Sequence, residues 1–202
     1  MQNAKQVLDA QATQYATRAD FAVIFDHDMN SLHLLSLLLT ADRQKAEKCF
    51  VAGLEDSVET NWVFKEWARS WARRAIIQNA ARMINPRPGA ENKGSNIDSF
   101  NTGRSVLAER PELAAVLELA PFERFVFVMS VLERYTDQDC SLLLGASRRD
   151  VLAARARALK QIAKVDLRRT QQSNARSEAP ALPADHGAGL HVQMSEGSAW
   201  TA

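Results

Sequence analysis

The stretch TDQDCSLLLGASRRDVLAARARALK, residues 136–160, decides how the chain is read. Thr136 with Asp139, and Ser147 with Asp150, each match the Ser/Thr-x-x-acid pattern in which a hydroxyl and a carboxylate satisfy the free amide groups at a helix start. Gly145 lies between the two signals, where a tight turn calls for positive φ. The spacing therefore predicts two short helices joined by a sharp turn. Cys140, Leu143, Val151, Ala158 and Ile162 form the seam between them, and the small Ser141 permits a close approach. Arg148, Arg149, Leu152, Ala153, Ala156, Arg157 and Lys160 fall on the outward faces of the second helix. This is the layout of a helix-turn-helix, whose second helix enters the major groove of DNA by its amino-terminal end. An arginine there pairs with a guanine edge or a phosphate, and a good base contact is worth roughly 1–3 kcal/mol of discrimination. The same pattern also describes a solvated basic helix, because caps and periodicity define a shape rather than a ligand.

Outward from this stretch the helical period continues, and strand-like alternation is scarce. Pro121 is placed to open a helix holding Phe122, Phe125, Val126, Met129 and Leu132, with Leu113, Val116, Leu117 and Leu119 before it. From Pro86 to about Arg110 the chain is rich in Gly, Asn, Ser and Pro and reads as a linker. Upstream, Val63, Phe64, Trp67, Ala68, Trp71, Ala72, Ala75, Ile76, Ala80 and Met83 trace one apolar stripe along a helix expected over Trp62 to Ile84. Lys65, Arg69, Arg73 and Arg74 occupy its other face, and Pro86 and Pro88 end it. That stripe makes Trp67 and Trp71 core residues. Phe21, Ile24 and Phe25, then Leu32, Leu34, Leu35, Leu38 and Leu39, repeat at three and four residues. After a break at Thr40-Ala41-Asp42, Ala46, Cys49, Phe50 and Leu54 continue the pattern. Beyond Thr170 the periodicity stops and the composition suggests a disordered tail. The expected fold is all-α: two small helical domains, residues 1–85 and 111–169, joined by a flexible linker over 86–110 and followed by a disordered C-terminal tail over 170–202.

Composition sets the outer bounds. The chain has 202 residues, 46% apolar and 24% charged, enough for one medium core or two small ones. Its formal charge of +1 hides an uneven spread. Acids gather between Asp26 and Glu59, and bases gather over Lys65 to Arg87 and Arg148 to Arg169, which favours a polyanionic partner. No apolar run approaches the ~20 residues of a membrane span, and Met1-Gln2-Asn3-Ala4-Lys5 begins no signal-peptide core. A cytoplasmic protein without membrane insertion is expected. Cys49 and Cys140 have no zinc-ligand spacing and are expected to be reduced, buried and chemically quiet.

The run Leu119-Ala120-Pro121-Phe122-Glu123-Arg124-Phe125-Val126-Phe127, then Tyr135-Thr136, Leu144-Gly145-Ala146-Ser147, Val151 and Arg157-Ala158, is similar in order and spacing to the carboxy-terminal domain of sigma-70 family transcription factors. The chain looks like a divergent member of the extracytoplasmic-function branch of that family. The resemblance implies DNA contacts from Arg148, Arg149, Ala153, Arg157 and Lys160. Phe64-Lys65-Glu66-Trp67-Ala68-Arg69-Ser70-Trp71-Ala72-Arg73-Arg74 resembles that family's promoter-melting helix, with Lys65, Arg69, Arg73 and Arg74 facing DNA. Basic grooves combined with aromatic platforms hold displaced single strands. Leu39-Thr40-Ala41-Asp42 and Ala46-Glu47 resemble part of its polymerase-binding segment, which implies polymerase contacts from Asp42 and Glu47. Where that segment continues with Asp and a Gln-Glu pair, this chain has Lys48, Val51 and Ala52. Arg155 stands where the family buries a leucine, and its aliphatic stem is expected to cover the seam with the charge at the rim. The implied function is transcription initiation on promoter DNA with bacterial RNA polymerase core, no cofactor and no enzymatic activity, with an anti-sigma factor as a further kind of partner. The alternative is a sigma-like helix-turn-helix regulator or helical interaction protein that no longer binds the core enzyme.

An enzymatic rival would use Asp26-His27-Asp28 with His33 as a metal or acid–base cluster. A metal site needs three or four ligands at defined spacing, and this segment has no later partner. A helix cap at Asp28 or Asn30 is the simpler account. Nucleophile-elbow glycines and a Gly-rich phosphate loop are both lacking.

Overall fold

Most helices begin or end where a short polar side chain or a left-handed residue interrupts the backbone ladder. A computed structural model describes residues 14–60, 62–89 and 111–177. The fold is all-α. In chain order the helices are α1 (Arg18–His27), α2 (Met29–Thr40), α3 (Arg43–Glu59), α4 (Ala68–Ile84), α5 (Pro111–Leu117), α6 (Pro121–Phe127), α7 (Asp137–Leu144) and α8 (Arg148–Ser177). A 3-10 turn, Lys65–Trp67, leads into α4, and a π turn, Val128–Leu132, prolongs α6. Tyr15 and Phe64 form an isolated antiparallel bridge. No helix among the described residues is long and apolar enough to cross a membrane.

Thr17 opens α1 with a capping box to Asp20. The expected apolar run from Phe21 to Leu39 is divided into α1 and α2 at Asp28, which sits at the start of α2 without a side-chain capping bond. Ala41 adopts a left-handed φ of 53°, and the Asp42 carboxylate then accepts the Lys45 amide at 2.9 Å to start α3. The last turns of α2 are buried all round, from Leu35 to Thr40. Its hydroxyls are satisfied within the helix: Ser36 donates to the Leu32 carbonyl and Thr40 to that of Ser36. Helices α3 and α4 lie so close that a Cβ on Gly53 would sit 2.6 Å from Ile76 Cδ1. Asn85, left-handed at φ 49°, ends α4 just before Pro86.

The helix expected to start at Trp62 begins later. Trp62 has φ 70° and is exposed, and regular α-helix starts only at Ala68. Positions expected beyond Pro86 as linker lie outside the described residues from 90 to 110. Residues 170–177, expected to belong to a disordered tail, are instead helical, because α8 continues to Ser177; positions 178–202 lie outside the described residues.

One apolar cluster takes residues from both halves of the chain, from Phe25, Leu39 and Ile76 to Phe125, Met129 and Val151. Helix α2 packs against α5, α6 and the π turn, and α4 packs against α7. A buried charge lies on this boundary. Arg124, 3% exposed, donates from Nε to the Leu39 carbonyl and from Nη1 to the Leu119 carbonyl, each at 3.2 Å. Burial pulls its pKa down to about 10. Leu39 lies in the last turn of α2, whose carbonyls have no intrahelical donor and form the negative end of the helix dipole.

Both cysteines are free and buried, and Cys49 Sγ donates to the Ile76 carbonyl at 3.3 Å. Burial pushes each thiol up to about 11. Since the thiolate is the nucleophile, the folded protein should react with a thiol reagent at pH 8 far more slowly than the urea-unfolded chain. An unfolded thiol ionises near pH ~8.5, so the thiols' contribution to stability is complete below that pH. It is lost as pH rises toward about 11, and urea midpoints across that range measure the loss. Replacing Arg124 with Ala leaves two buried carbonyls without a donor, at about 1–3 kcal/mol each, and should lower the urea-unfolding free energy by about 3 kcal/mol.

Candidate nucleic-acid interface

The unit around residues 136–160 is built from its two caps inward. The Thr136 hydroxyl accepts the Asp139 amide at 3.1 Å while the Asp139 carboxylate accepts the Thr136 amide and hydroxyl, which starts α7. Gly145 ends α7 with a left-handed φ of 59°. Ser141 closes the turn, its Oγ donating to the Ala146 carbonyl at 2.6 Å and its own carbonyl accepting the Ala146 amide. The Ser147 hydroxyl accepts the Asp150 amide at 3.1 Å and donates to the Asp150 carboxylate at 2.6 Å, so α8 starts on a satisfied first turn.

Cys140, Val151, Ala154 and Ala158 are fully buried in the seam, with Leu143 and Ile162 packed against them. The sequence-predicted seam is therefore assembled, with Ala154 added one turn after Val151. Arg148, Arg149, Leu152, Ala153, Ala156, Arg157 and Lys160 all face solvent. Arg148, Arg149 and Lys160 make no ion pair among the described residues. Ala153 and Ala156 keep the exposed face low between the cations. Arg157 is different: its guanidinium holds Glu123 of α6 at 2.8–2.9 Å. Arg155 lies half-buried over the seam, donating to Asp137 at 2.7 Å. A carboxylate at the start of α7 thus receives the charge that a leucine would lack.

The second predicted site, around the start of α4, is arranged differently from the expectation. Trp67 and Trp71 are not core residues: they are 58% and 37% exposed. The core face of α4 is made by Ala68, Ala72, Ala75, Ile76, Ile77, Asn79 and Ala80, so small side chains bury the helix backbone and the indoles are turned outward. Trp67 and Phe64 stack edge to face at 5.2 Å, and Tyr15 bridges Phe64 and Trp62. Lys65 lies 3.6 Å from Asp20 and Arg69 3.5 Å from Asp28. The His27 hydrogen bond, and then the charges of Arg69 and Arg73, hold the Asp28 carboxyl below its ordinary range. Arg73 is bound through Nε and Nη2 to Glu133, just past the π turn, and donates from Nη1 to Ser31 at 3.0 Å. Those bonds to Glu133 hold the Arg73 pKa above its ordinary value. Arg74 has no ion pair among the described residues.

Of the expected polymerase contacts, Asp42 caps α3 and Glu47 pairs with Arg43 at 3.2 Å. Among the described residues no group of three or more His, Cys, Asp and Glu is placed to hold a metal ion. Of the acids that engage these cations, Asp28 was named in the sequence as a helix cap, whereas Asp20, Glu123, Glu133 and Asp137 were not singled out. Glu123 and Arg157 are 34 positions apart, beyond any helical period. No family model matches the chain, and no curated protein matches it.

Because Ser147 carries the first turn of α8, Ser147→Ala should cost about 1 kcal/mol of stability. Amide hydrogen exchange of Asp150 and Val151 should accelerate, while that of Ala158 should stay slow. Equal acceleration along α8 would show that the cap does not act locally.

Proposed function

We propose that this chain is a sequence-specific DNA-binding transcription protein of sigma-70-like design, in which α7 and α8 form a helix-turn-helix that reads duplex DNA. The observation that carries the reading is the amino-terminal face of α8. Arg148, Arg149, Ala153 and Lys160 stand free in solvent on a helix whose opposite face is locked into the core by Val151, Ala154 and Ala158. Rigid backing matters because a reading helix must hold its side chains at base-edge distance without paying for order on binding. Two alanines among the cations admit the close approach that a groove floor requires.

Arg157 fits as a recruitable contact. Its bridge to Glu123 leaves the Arg157 side chain more than half exposed, whereas the Glu123 side chain is largely withdrawn from water. Glu123 therefore restrains Arg157, and a DNA phosphate gains it only by displacing that carboxylate. On this reading the start of α4, with Trp67, Trp71, Lys65, Arg69 and Arg74, faces DNA being opened, and polymerase core docks near Asp42 and Glu47. A second reading, a regulator that binds DNA without polymerase, is favoured by one observation: Asp42 and Glu47 are already engaged, the first by the α3 amide and the second by Arg43. Transcription reconstituted with purified core enzyme separates the two, since only the first reading predicts initiation.

In a gel-shift assay against selected duplex sequences, Arg148→Ala with Arg149→Ala should abolish sequence preference while the circular dichroism stays unchanged. Retained preference would remove α8 from the reading role. Glu123→Gln should release Arg157 and steepen the salt dependence of binding by about 0.9 in log–log slope, the increment for one further neutralised phosphate.

A further inference from the structure

The first turns of α4 and the corner after the π turn border an open cleft of about 590 Å³, a volume within the range of small-molecule sites. One wall presents the indoles of Trp67 and Trp71, spaced by one helical turn. Arg74 and Gln78 follow Trp71 at three and seven positions along α4 and line the same cleft, and Arg134 lines it from the corner.

The charges of this cleft are unequally committed. Arg73 and Glu133 are bound to each other, and the Asp139 carboxylate is held by Thr136. Arg74 and Arg134 have no carboxylate partner among the described residues. The corner is also fixed in shape: Arg134 has a left-handed φ of 59°, and it is flanked by backbone bonds from Glu133 to Val128 and from Tyr135 to Met129, both 2.9 Å. Two exposed flat apolar faces, two free guanidinium groups and an uncommitted amide together match one ligand chemistry. A nucleobase stacks on indole, a carboxamide pairs with its edge, and guanidinium forks take phosphate oxygens. An acidic peptide would use the arginines and leave the indoles wet.

We propose that this cleft binds a free nucleoside phosphate, its base on Trp67 and Trp71 and its phosphate on Arg74 and Arg134. The site is separate from α8, but it shares Trp67, Trp71 and Arg74 with the face proposed to meet opened DNA, so a bound nucleotide and a displaced strand exclude each other there. Its walls come from both halves of the chain, so the ligand joins them and stabilises the folded protein by mass action.

The test is calorimetric titration of the full chain with adenosine diphosphate, guanosine diphosphate, adenosine alone, inorganic phosphate and a short single-stranded oligonucleotide. At least one diphosphate should bind and raise the melting temperature, with adenosine and phosphate each about tenfold or more weaker. Trp71→Ala should reduce affinity by roughly tenfold, the scale of one lost base stack. Arg134→Ala, which removes an exposed side chain with no ion pair among the described residues, should reduce it comparably, as should Arg74→Ala with Arg134→Ala. Arg148→Ala with Arg149→Ala should leave it unchanged, so loss of DNA reading and loss of this site are separable. The proposal is overturned if neither diphosphate binds, if Arg134→Ala and Trp71→Ala bind as well as the parent, or if the oligonucleotide alone binds and nucleotides do not displace it.

Discussion

The Arg124 guanidinium sits in the interior with carbonyl oxygens as its partners, and the arrangement of the two halves follows from that. A charge removed from water without compensation is expensive, and its effective cost in proteins is several kcal/mol. Here the compensation comes from the Leu39 carbonyl at the electronegative end of α2 and from the Leu119 carbonyl just before α6. Neither helix can move away from the other without stranding the charge. The all-round burial of the end of α2 follows from the same contact, because a helix whose last turn is clasped by a guanidinium from another element is covered on that side too. Arg73 and Glu133 repeat the theme nearer the surface, joining α4 to the far end of the α6 segment.

Cations in this chain therefore fall into two groups. Some are consumed by the fold: Arg124 by carbonyls, Arg73 by Glu133, Arg155 by Asp137. Others, Arg148, Arg149, Lys160, Arg74 and Arg134, stay unpaired among the described residues. Arg157 lies between the groups, attached to Glu123 but largely exposed. A net charge near zero is compatible with a polyanion partner because some acids, Glu123, Glu133 and Asp137 among them, are engaged within the fold while Arg148, Arg149, Lys160, Arg74 and Arg134 are not.

Local chemistry was legible in the sequence, and long-range pairing was not. The caps at Thr136 and Ser147, the left-handed Gly145 and the seam of Cys140, Val151 and Ala158 all rest on spacings of a few residues, where hydrogen-bond geometry leaves few choices. The ends at Asp42 and before Pro86 were readable for the same reason. Trp67 and Trp71 were misjudged because apolar periodicity identifies a stripe without showing which part is covered. Alanines at 68, 72 and 75 allowed α4 to bury its backbone directly, and the large rings were left at the edge. The partners of Arg157 and Arg124 depend on how the helices pack, which no local pattern encodes. The extra length of α8 past Thr170 was missed because polar residues with adequate helix propensity extend a helix without leaving an apolar period.

The π turn at Val128–Leu132 sets angular phase. In a regular α-helix each residue advances the side-chain direction by roughly 100°. The Glu133 amide here reaches back to the carbonyl of Val128, five positions earlier, so one surplus residue is absorbed without a loop. Everything after it is rotated relative to the face α6 would otherwise present. Glu133 thereby points toward α4, and the chain leaves the helix in the direction that α7 requires. Excising a single residue from this coil would restore regular winding, yet it would swing the acid away from its guanidinium and re-aim the whole distal pair of helices. In this segment residue number is constrained more tightly than residue identity.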